Sequence, residues 1–338
     1  MAHDAKYKIA LVLEDRGSDY TFIKDYAAQK GFECVWRPLE NHKDRQATIS
    51  ALSDCEAVIA GGQEFDSEVL HALPNLKIIA RFGIGYEKID ITLATKLGIA
   101  VTNTPGCMSA GVADLAIALM LGIGRNLTGL DHKIKAGGWD AKFIGNELEG
   151  KTVGMVGFGN IAQRLAKYLI GFDCPVLAYD ICFAHDHGLP HVKQADLETI
   201  ARESDYVSLH LPLNKDTTGL IGKDFFAKMK PTAFLINTAR GGVVDENEMI
   251  AALKEKRIAG VATDVFEQEP LPEGSEMLSL PNCLFTPHIA SYTIETASKS
   301  AFAAIDNISD LFGGKTPRNI LNPGYNHPSQ PTASHWNR

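Results

Sequence analysis

Residues 151–180 read KTVGMVGFGNIAQRLAKYLIGFDCPVLAYD. The apolar run Thr152 to Val156 meets Gly157-Phe158-Gly159-Asn160-Ile161-Ala162, after which Ile161, Leu165, Tyr168 and Leu169 are spaced for one buried helix face. Strand, tight turn and helix in that order are the form of a dinucleotide-binding G-x-G-x-x-G turn, with Ala162 in the third place. Gly157 permits the turn, Gly159 admits a pyrophosphate, and helix N-terminal amides at Asn160 and Ile161 meet its charge. The next apolar run ends at Asp180, 18 residues after Ala162. An acid there hydrogen-bonds the adenosine ribose hydroxyls and repels a 2′-phosphate. Neither Ile181 nor Cys182 offers a cation, so the reading favours NAD over NADP. Glycine-rich turns also close ordinary strand–helix joints; the flanking strand, helix and acid set this one apart.

Outward from that turn, short apolar runs alternate with helix-period segments over most of the chain, which predicts an α/β fold. On the amino-terminal side strands are expected at Ile9–Leu13, Glu33–Arg37, Ala57–Ala60, Leu76–Arg81 and Ala100–Val101, with helices between them. Helices are expected to fill Ala110 to about Ala136. A second wound unit then starts at Lys151, with strands at 152–156, 175–179, 206–209, 233–237, 258–263 and 283–286. A last helix spans Ile294 to Leu311. The expectation is two Rossmann-like, doubly wound parallel-sheet domains, the nucleotide-binding domain inserted in the substrate domain. The boundaries are 1–102 plus 290–322 for a flavodoxin-like substrate domain and 103–289 for the NAD-binding domain. A mobile tail, rich in Pro, Asn, Ser and His, is expected over 323–338.

Three polar residues sit just past apolar runs of the second unit: Arg240, Asp264 and His288. In an open parallel sheet ligands bind outside the carboxyl ends of the strands. One cofactor turn and three such side chains point to a nicotinamide-dependent oxidoreductase. Hydride transfer is the cofactor's chemistry, so the protein must orient a substrate and move one proton. Arg240 supplies a fixed cationic fork for a carboxylate and a carbonyl oxygen. His288 is the proton carrier suited to neutral pH. Glu269 is placed to hold that imidazole in one tautomer, and Asp264 to bind the nicotinamide amide. Taken singly, Arg240 reads more readily as a surface cation and Glu269 as a solvated loop acid, and His288 is one of 11 histidines. His210, at the end of Tyr206-Val207-Ser208-Leu209, is the rival histidine and reads as a neighbour of the cofactor.

The chain of 338 residues is 45% hydrophobic and 22% charged, ordinary for a soluble protein with two cores. A formal charge of -8 without a basic stripe argues against nucleic acid as a partner. Six cysteines without a C-x-x-C pair read as reduced thiols of a cytoplasmic protein, and no metal site is expected. The apolar run after the polar start, Met1 to Lys8, is too short for a signal peptide, and Val112 to Ile123 falls short of a membrane span.

Gly157 to Ala162 with Asp180, Asn237-Thr238-Ala239-Arg240-Gly241-Gly242-Val243-Val244-Asp245, Asp264-Val265-Phe266-Glu267-Gln268-Glu269-Pro270 and Thr286-Pro287-His288-Ile289-Ala290 together resemble the D-isomer-specific 2-hydroxyacid dehydrogenases. Arg81 to Tyr86 and Asn103 to Gly106 fit as well, and residues 144–152 resemble the phosphoglycerate dehydrogenase-like branch. The resemblance spans roughly Lys8 to Asn322. It implies Arg240, Glu269 and His288 as catalytic residues and a substrate carboxylate held at Arg81, Gly83, Ile84 and Gly85. It also implies a nucleotide pocket completed by Pro212, Thr217, Thr238 and Ala239. A small 2-hydroxy or 2-oxo acid is the implied partner, in a cleft that closes between two domains. The helical stretch after Pro105 is the implied dimerisation region of a homodimer. Where phosphoglycerate dehydrogenases carry a basic residue after the third strand, this chain has Ala60-Gly61-Gly62-Gln63-Glu64, and the reading expects no C-terminal regulatory domain. Glyoxylate, hydroxypyruvate or a lactate-like acid is therefore as well suited as 3-phosphoglycerate. Two further readings use the same scaffold: oxidation of an oxyanion such as phosphite, and an NAD(H)-sensing protein resembling transcriptional corepressors, which would not need the Arg–Glu–His set.

Overall fold

In the computed structural model, residues 7–13, 20–183 and 187–326 are described. The polar start before Tyr7, the acids Glu14 and Asp15, and the tail from His327 onward lie outside them. Contacts divide the chain into two compact units, one comprising residues up to Met108 and from Thr293 onward, the other Ser109–Tyr292.

The first unit begins with five strands, β1 (Tyr7–Val12), β2 (Phe32–Trp36), β3 (Ala57–Ala60), β4 (Ile78–Arg81) and β5 (Ala100–Thr102). All pair in parallel, in the order β2-β1-β3-β4-β5. Parallel strands covered on both faces read as continuous apolar runs, and β3 is buried at all four residues. Between the strands lie α1 (Thr21–Gln29), α2 (Arg45–Leu52), α3 (Ser67–His71) and α4 (Ile91–Lys96). Three of these start on an aspartate: Asp44 accepts from the Ala47 amide, Asp66 from Glu68 and Val69, and Asp90 from Leu93. Each such cap is worth about 1 kcal/mol.

The second unit opens with α5 (Ser109–Gly124) and α6 (Leu127–Lys135). Its sheet has seven parallel strands: β6 (Val153–Val156), β7 (Val176–Tyr179), β8 (Val192–Gln194), β9 (Tyr206–Leu209), β10 (Phe234–Asn237), β11 (Gly260–Thr263) and β12 (Cys283–Phe285). The order is β12-β11-β10-β9-β6-β7-β8, so the winding reverses between β6 and β9. Helices α7 (Asn160–Leu169), α8 (Leu197–Glu203), α9 (Lys223–Phe226) and α10 (Glu246–Lys254) complete it. One core joins Ala113, Ala116 and Met120 of α5 to Leu165 and Leu169 of α7 and to Ile236 and Ala262 of the sheet. The chain then returns through α11 (Ile294–Phe312), whose Ala301, Ala304, Ile305 and Ile308 share a core with Ile9, Leu11, Ile78 and Ala100 of the first unit.

Two expectations are corrected. The edge strand β8 has no counterpart in the sequence reading, because only Val192 of its three residues is buried. The helices expected over Ala110 to Ala136 are α5 and α6, separated where Asn126 takes a left-handed backbone, φ 47°. Pro323–Asn326, expected within a mobile tail, is a 3-10 turn with Tyr325 buried in the first unit's core.

Candidate active site

In the second unit, site residues follow strand after strand at the carboxyl edge of the sheet: Gly157 after β6, Asp180 after β7, His210 after β9, Thr238 after β10, Asp264 after β11 and His288 beyond β12. Gly157 has φ 92°, and a Cβ there would lie 2.6 Å from the His210 carbonyl oxygen. Only glycine meets both demands. Gly159 differs: its backbone suits any residue, and a Cβ would meet nothing within 4 Å. The chain itself leaves that space open beside the first turn of α7, whose N-terminus has no side-chain cap. Open space and uncapped amides fit a pyrophosphate. Ala162 is fully buried against the core, as its place at the helix–strand contact requires.

Asp180 is tied to the same turn. Its Oδ2 accepts the Phe158 amide at 2.7 Å and its Oδ1 the Cys182 amide at 2.8 Å, leaving each oxygen one further lone pair. His210 lies beside Gly157, its Nε2 3.0 Å from the Ser208 hydroxyl, and burial pushes its pKa down to about 4. The imidazole is therefore neutral at physiological pH. The Thr217 hydroxyl donates to the Pro212 carbonyl at 2.7 Å and closes that loop. Thr238 and Ala239 are buried at the end of β10, and the Thr238 hydroxyl has no hydrogen-bond partner among the described residues.

Arg240, Glu269 and His288 come together in this unit. Asn237 braces the first: its Oδ1 accepts the Ala239 amide and its Nδ2 donates to the Arg240 carbonyl, both at 3.0 Å. Of the two glycines that follow, the structure requires the first. A Cβ on Gly241 would fall 2.0 Å from the Phe266 carbonyl carbon and 2.4 Å from the Glu267 nitrogen, so the two backbones touch. A Cβ on Gly242 would meet only the Leu213 side chain, at 3.2 Å. The Phe266 amide in turn donates to Glu269 Oε1 at 3.0 Å, and Glu269 Oε2 faces His288 Nδ1 at 2.8 Å. Burial works to raise the Glu269 pKa, but the hydrogen bonds from His288 and Phe266 and the charges of His288 and Arg240 outweigh it, so the net shift is downward. With Nδ1 facing a carboxylate, the proton sits on Nδ1 and Nε2 is left for other chemistry. His288 holds this place with φ 55°, a left-handed backbone that costs about 1–2 kcal/mol for a side chain of its size.

Asp264, expected at the nicotinamide, is fully buried. Its Oδ1 accepts the Thr286 hydroxyl at 2.6 Å and the Ile289 amide at 2.9 Å, and its Oδ2 accepts the Ala290 amide at 2.8 Å. Nothing in the sequence marks these partners, which lie more than twenty residues downstream. The Asn237 brace and the Gly241 contact were likewise missed, although an Asn ending a strand and a double glycine after Arg240 are visible signals.

Arg81, Gly83, Ile84 and Gly85 belong to the first unit, at the end of β4. Arg81 donates to the Phe82 and Ala60 carbonyls. Gly83, with φ 143°, shares its amide between the Arg81 carbonyl and the Thr104 hydroxyl, each at 3.0 Å. Asn103 pins the Ile84 carbonyl at 3.0 Å, and the Ile84 and Gly85 amides make no hydrogen bond among the described residues. Beside Gly62, the Lys88 ammonium donates to the glycine carbonyl at 3.1 Å, so a cation absent from the local sequence reaches that loop from elsewhere.

The model of the NAD-binding domain of the D-isomer specific 2-hydroxyacid dehydrogenases matches residues 117–290. The chain is 42% identical to a glyoxylate reductase of Thermofilum pendens over 84% of its length and 83% of that protein. It is 38% identical to a D-3-phosphoglycerate dehydrogenase of Archaeoglobus fulgidus, over 88% of the chain and 56% of that longer protein. The structure of an NADPH-dependent glyoxylate/hydroxypyruvate reductase from Sinorhizobium meliloti superposes with a TM-score of 0.80 at 28% identity, covering 94% of this chain and 98% of that one.

Proposed function

The chain belongs to the D-isomer specific 2-hydroxyacid dehydrogenase family and is an oxidoreductase of 2-hydroxy acids with an NAD-binding domain; from that premise we propose that it reduces small 2-oxo acids such as glyoxylate and hydroxypyruvate, with His288 as the proton carrier. The observation that carries this reading is the 2.8 Å contact between His288 Nδ1 and Glu269 Oε2 in the unit that holds Arg240. Glu269 holds the Nδ1–H of the imidazole, so that Nε2 is left to deliver a proton to the 2-oxo oxygen. Arg240 orients the carboxylate and polarises the carbonyl. Arg81, Ile84 and Gly85, in the first unit, are proposed as substrate-binding residues. When bound, the reduced nicotinamide supplies the hydride. Asp180 selects NAD over NADP, because no cation follows it at Ile181 or Cys182 to meet a 2′-phosphate. Asn160, Ile161, His210, Pro212, Thr217, Thr238 and Ala239 line the remaining nucleotide pocket.

Among the described residues no single helix is long and apolar enough to cross a membrane. Cytoplasmic location is proposed from the six unpaired cysteines. A homodimer is proposed through residues 127–144: α6 buries none of its residues, while Leu127, Trp139 and Ile144 are exposed at 55%, 82% and 91%.

The test is NADH consumption against glyoxylate, hydroxypyruvate, phosphohydroxypyruvate, pyruvate and branched 2-oxo acids. Preference for glyoxylate or hydroxypyruvate is expected. A phosphorylated winner would assign Lys88 to phosphate. Silence across the panel, with NADH still bound, would overturn the reductase reading in favour of a sensing role. Arg240→Ala is expected to abolish turnover while leaving NADH affinity within about twofold, because Arg240 is assigned to the substrate.

A further inference from the structure

We propose that Asn103 and Thr104 are positioning residues for the substrate carboxylate: together they aim the Ile84 and Gly85 amides at it. The proposal rests on the reductase reading above, since it names what holds the substrate loop of that reaction.

The loop lies at the end of β4 in the first unit, and the residues that hold it follow β5, the neighbouring strand of the same sheet. The Thr104 amide donates to the Gly83 carbonyl at 3.0 Å, and Asn103 Nδ2 donates to the Ile84 carbonyl at 3.0 Å. Two consecutive carbonyls of the loop therefore turn toward one two-residue segment. A trans peptide unit is planar, with its N–H opposed to its C=O. Both units here are trans, so fixing the Gly83 carbonyl fixes the Ile84 amide, and fixing the Ile84 carbonyl fixes the Gly85 amide. Both amides face away from Asn103 and Thr104, and neither makes a hydrogen bond among the described residues. Successive amides left free in this way suit an anion. Their support is itself held. Thr104 is fully buried, and its hydroxyl also accepts the Gly83 amide at 3.0 Å. Asn103 is buried too, and its own carbonyl accepts Asn307 Nδ2, from α11 of the same unit, at 3.4 Å. Asn103 thus acts through the Ile84–Gly85 peptide, and the substrate carboxylate meets an amide whose direction is set before it arrives.

The test is Asn103→Leu, which keeps the size of the side chain and removes its donor. The Ile84 carbonyl is then free to turn and takes the Gly85 amide with it. Losing one hydrogen bond to a charged group costs about tenfold or more in affinity, so KM for glyoxylate and hydroxypyruvate is expected to rise at least that far. The bond is made to substrate and transition state alike, so kcat and the NADH dissociation constant are expected to stay within about threefold. Amide NMR with oxamate, an unreactive carboxylate of 2-oxo acid shape, gives a readout free of turnover. With NADH bound, oxamate is expected to move the Ile84 and Gly85 amide protons downfield in the native protein, and the Gly85 response is expected to be lost in the variant. If Asn103→Leu does not fold, Thr104→Val removes the hydroxyl that holds the Gly83 amide; a several-fold rise in KM, restored in Thr104→Ser, is expected. An unchanged KM with the Gly85 response intact would overturn the proposal, as would a loss confined to kcat or to NADH affinity, or the absence of any oxamate response in the native protein. A native protein inactive on every 2-oxo acid would instead sink the reductase reading, while the oxamate response of the two amides would still decide whether Asn103 aims them.

Discussion

Asp264 and Glu269 are two carboxylates five residues apart that reach the same histidine by opposite routes. Asp264 is fully buried and spends both oxygens on one hydroxyl and two amides of the segment carrying His288. The Glu269 side chain is 38% exposed and meets the imidazole itself. Burial with uncharged partners makes an acid into scaffold, because the interior penalises its removal far more than the surface would. Exposure with an ionisable partner makes an acid into chemistry, because its charge sets the protonation of its neighbour.

The contrast is broken most directly on stability. Asp264→Ala frees three donors in the interior and is expected to destabilise the protein by about 3 kcal/mol or more; Glu269→Ala is expected to cost under about 1 kcal/mol while disabling turnover. Chemical denaturation of the two variants measures the difference, and equal losses would end the distinction.

The loop between the two acids offers a sharper test. Gly241→Ala must push Phe266 and Glu267 away, and with them Glu269, so kcat/KM is expected to fall about 100-fold. Gly242→Ala meets only a leucine side chain and is expected to stay within about threefold, the leucine yielding at little cost. Steady-state rates of the pair decide whether one glycine is essential and the other free.

A smaller effect concerns pH. Glu269 is held below its ordinary carboxyl pKa, so its charge persists above that range and is lost only as pH falls through its lowered value. Across neutral pH it is the carboxylate that faces the His288 Nδ1. Glu269→Gln is therefore expected to remove the acid-side fall in kcat/KM that follows protonation of Glu269; an unmoved limb would reduce Glu269 to a tether.

The smallest effect lies at His210. Its pKa of about 4 in the folded protein is below the ordinary 6.5, so the unfolded chain takes up a proton that the native one refuses. Stability assigned to His210 is complete above pH 6.5 and declines as pH falls toward 4. His210→Gln is expected to flatten that stretch of a melting-temperature profile.

The sequence made the strands legible because strands covered on both faces leave continuous apolar runs. An edge strand with one buried residue, such as β8, leaves no run to find. Arg240, Glu269 and His288 were readable as types at strand ends and as members of a family pattern. Their supports were not, because a hydrogen bond between Asp264 and Ala290 depends on two adjacent strands delivering their ends side by side. Local sequence names the side chain that reacts; the fold alone names the one that holds it.

The return of α11 to the first unit sets an order of manufacture. The apolar face of that helix, with Ala301, Ala304, Ile305 and Ile308, covers a sheet whose last strand ended at Thr102. A nascent chain therefore carries an unfinished first sheet for nearly two hundred residues, while the unit ending at Tyr292 already has its whole core. During synthesis, the half that is encoded in the middle is completed before the half that is encoded first.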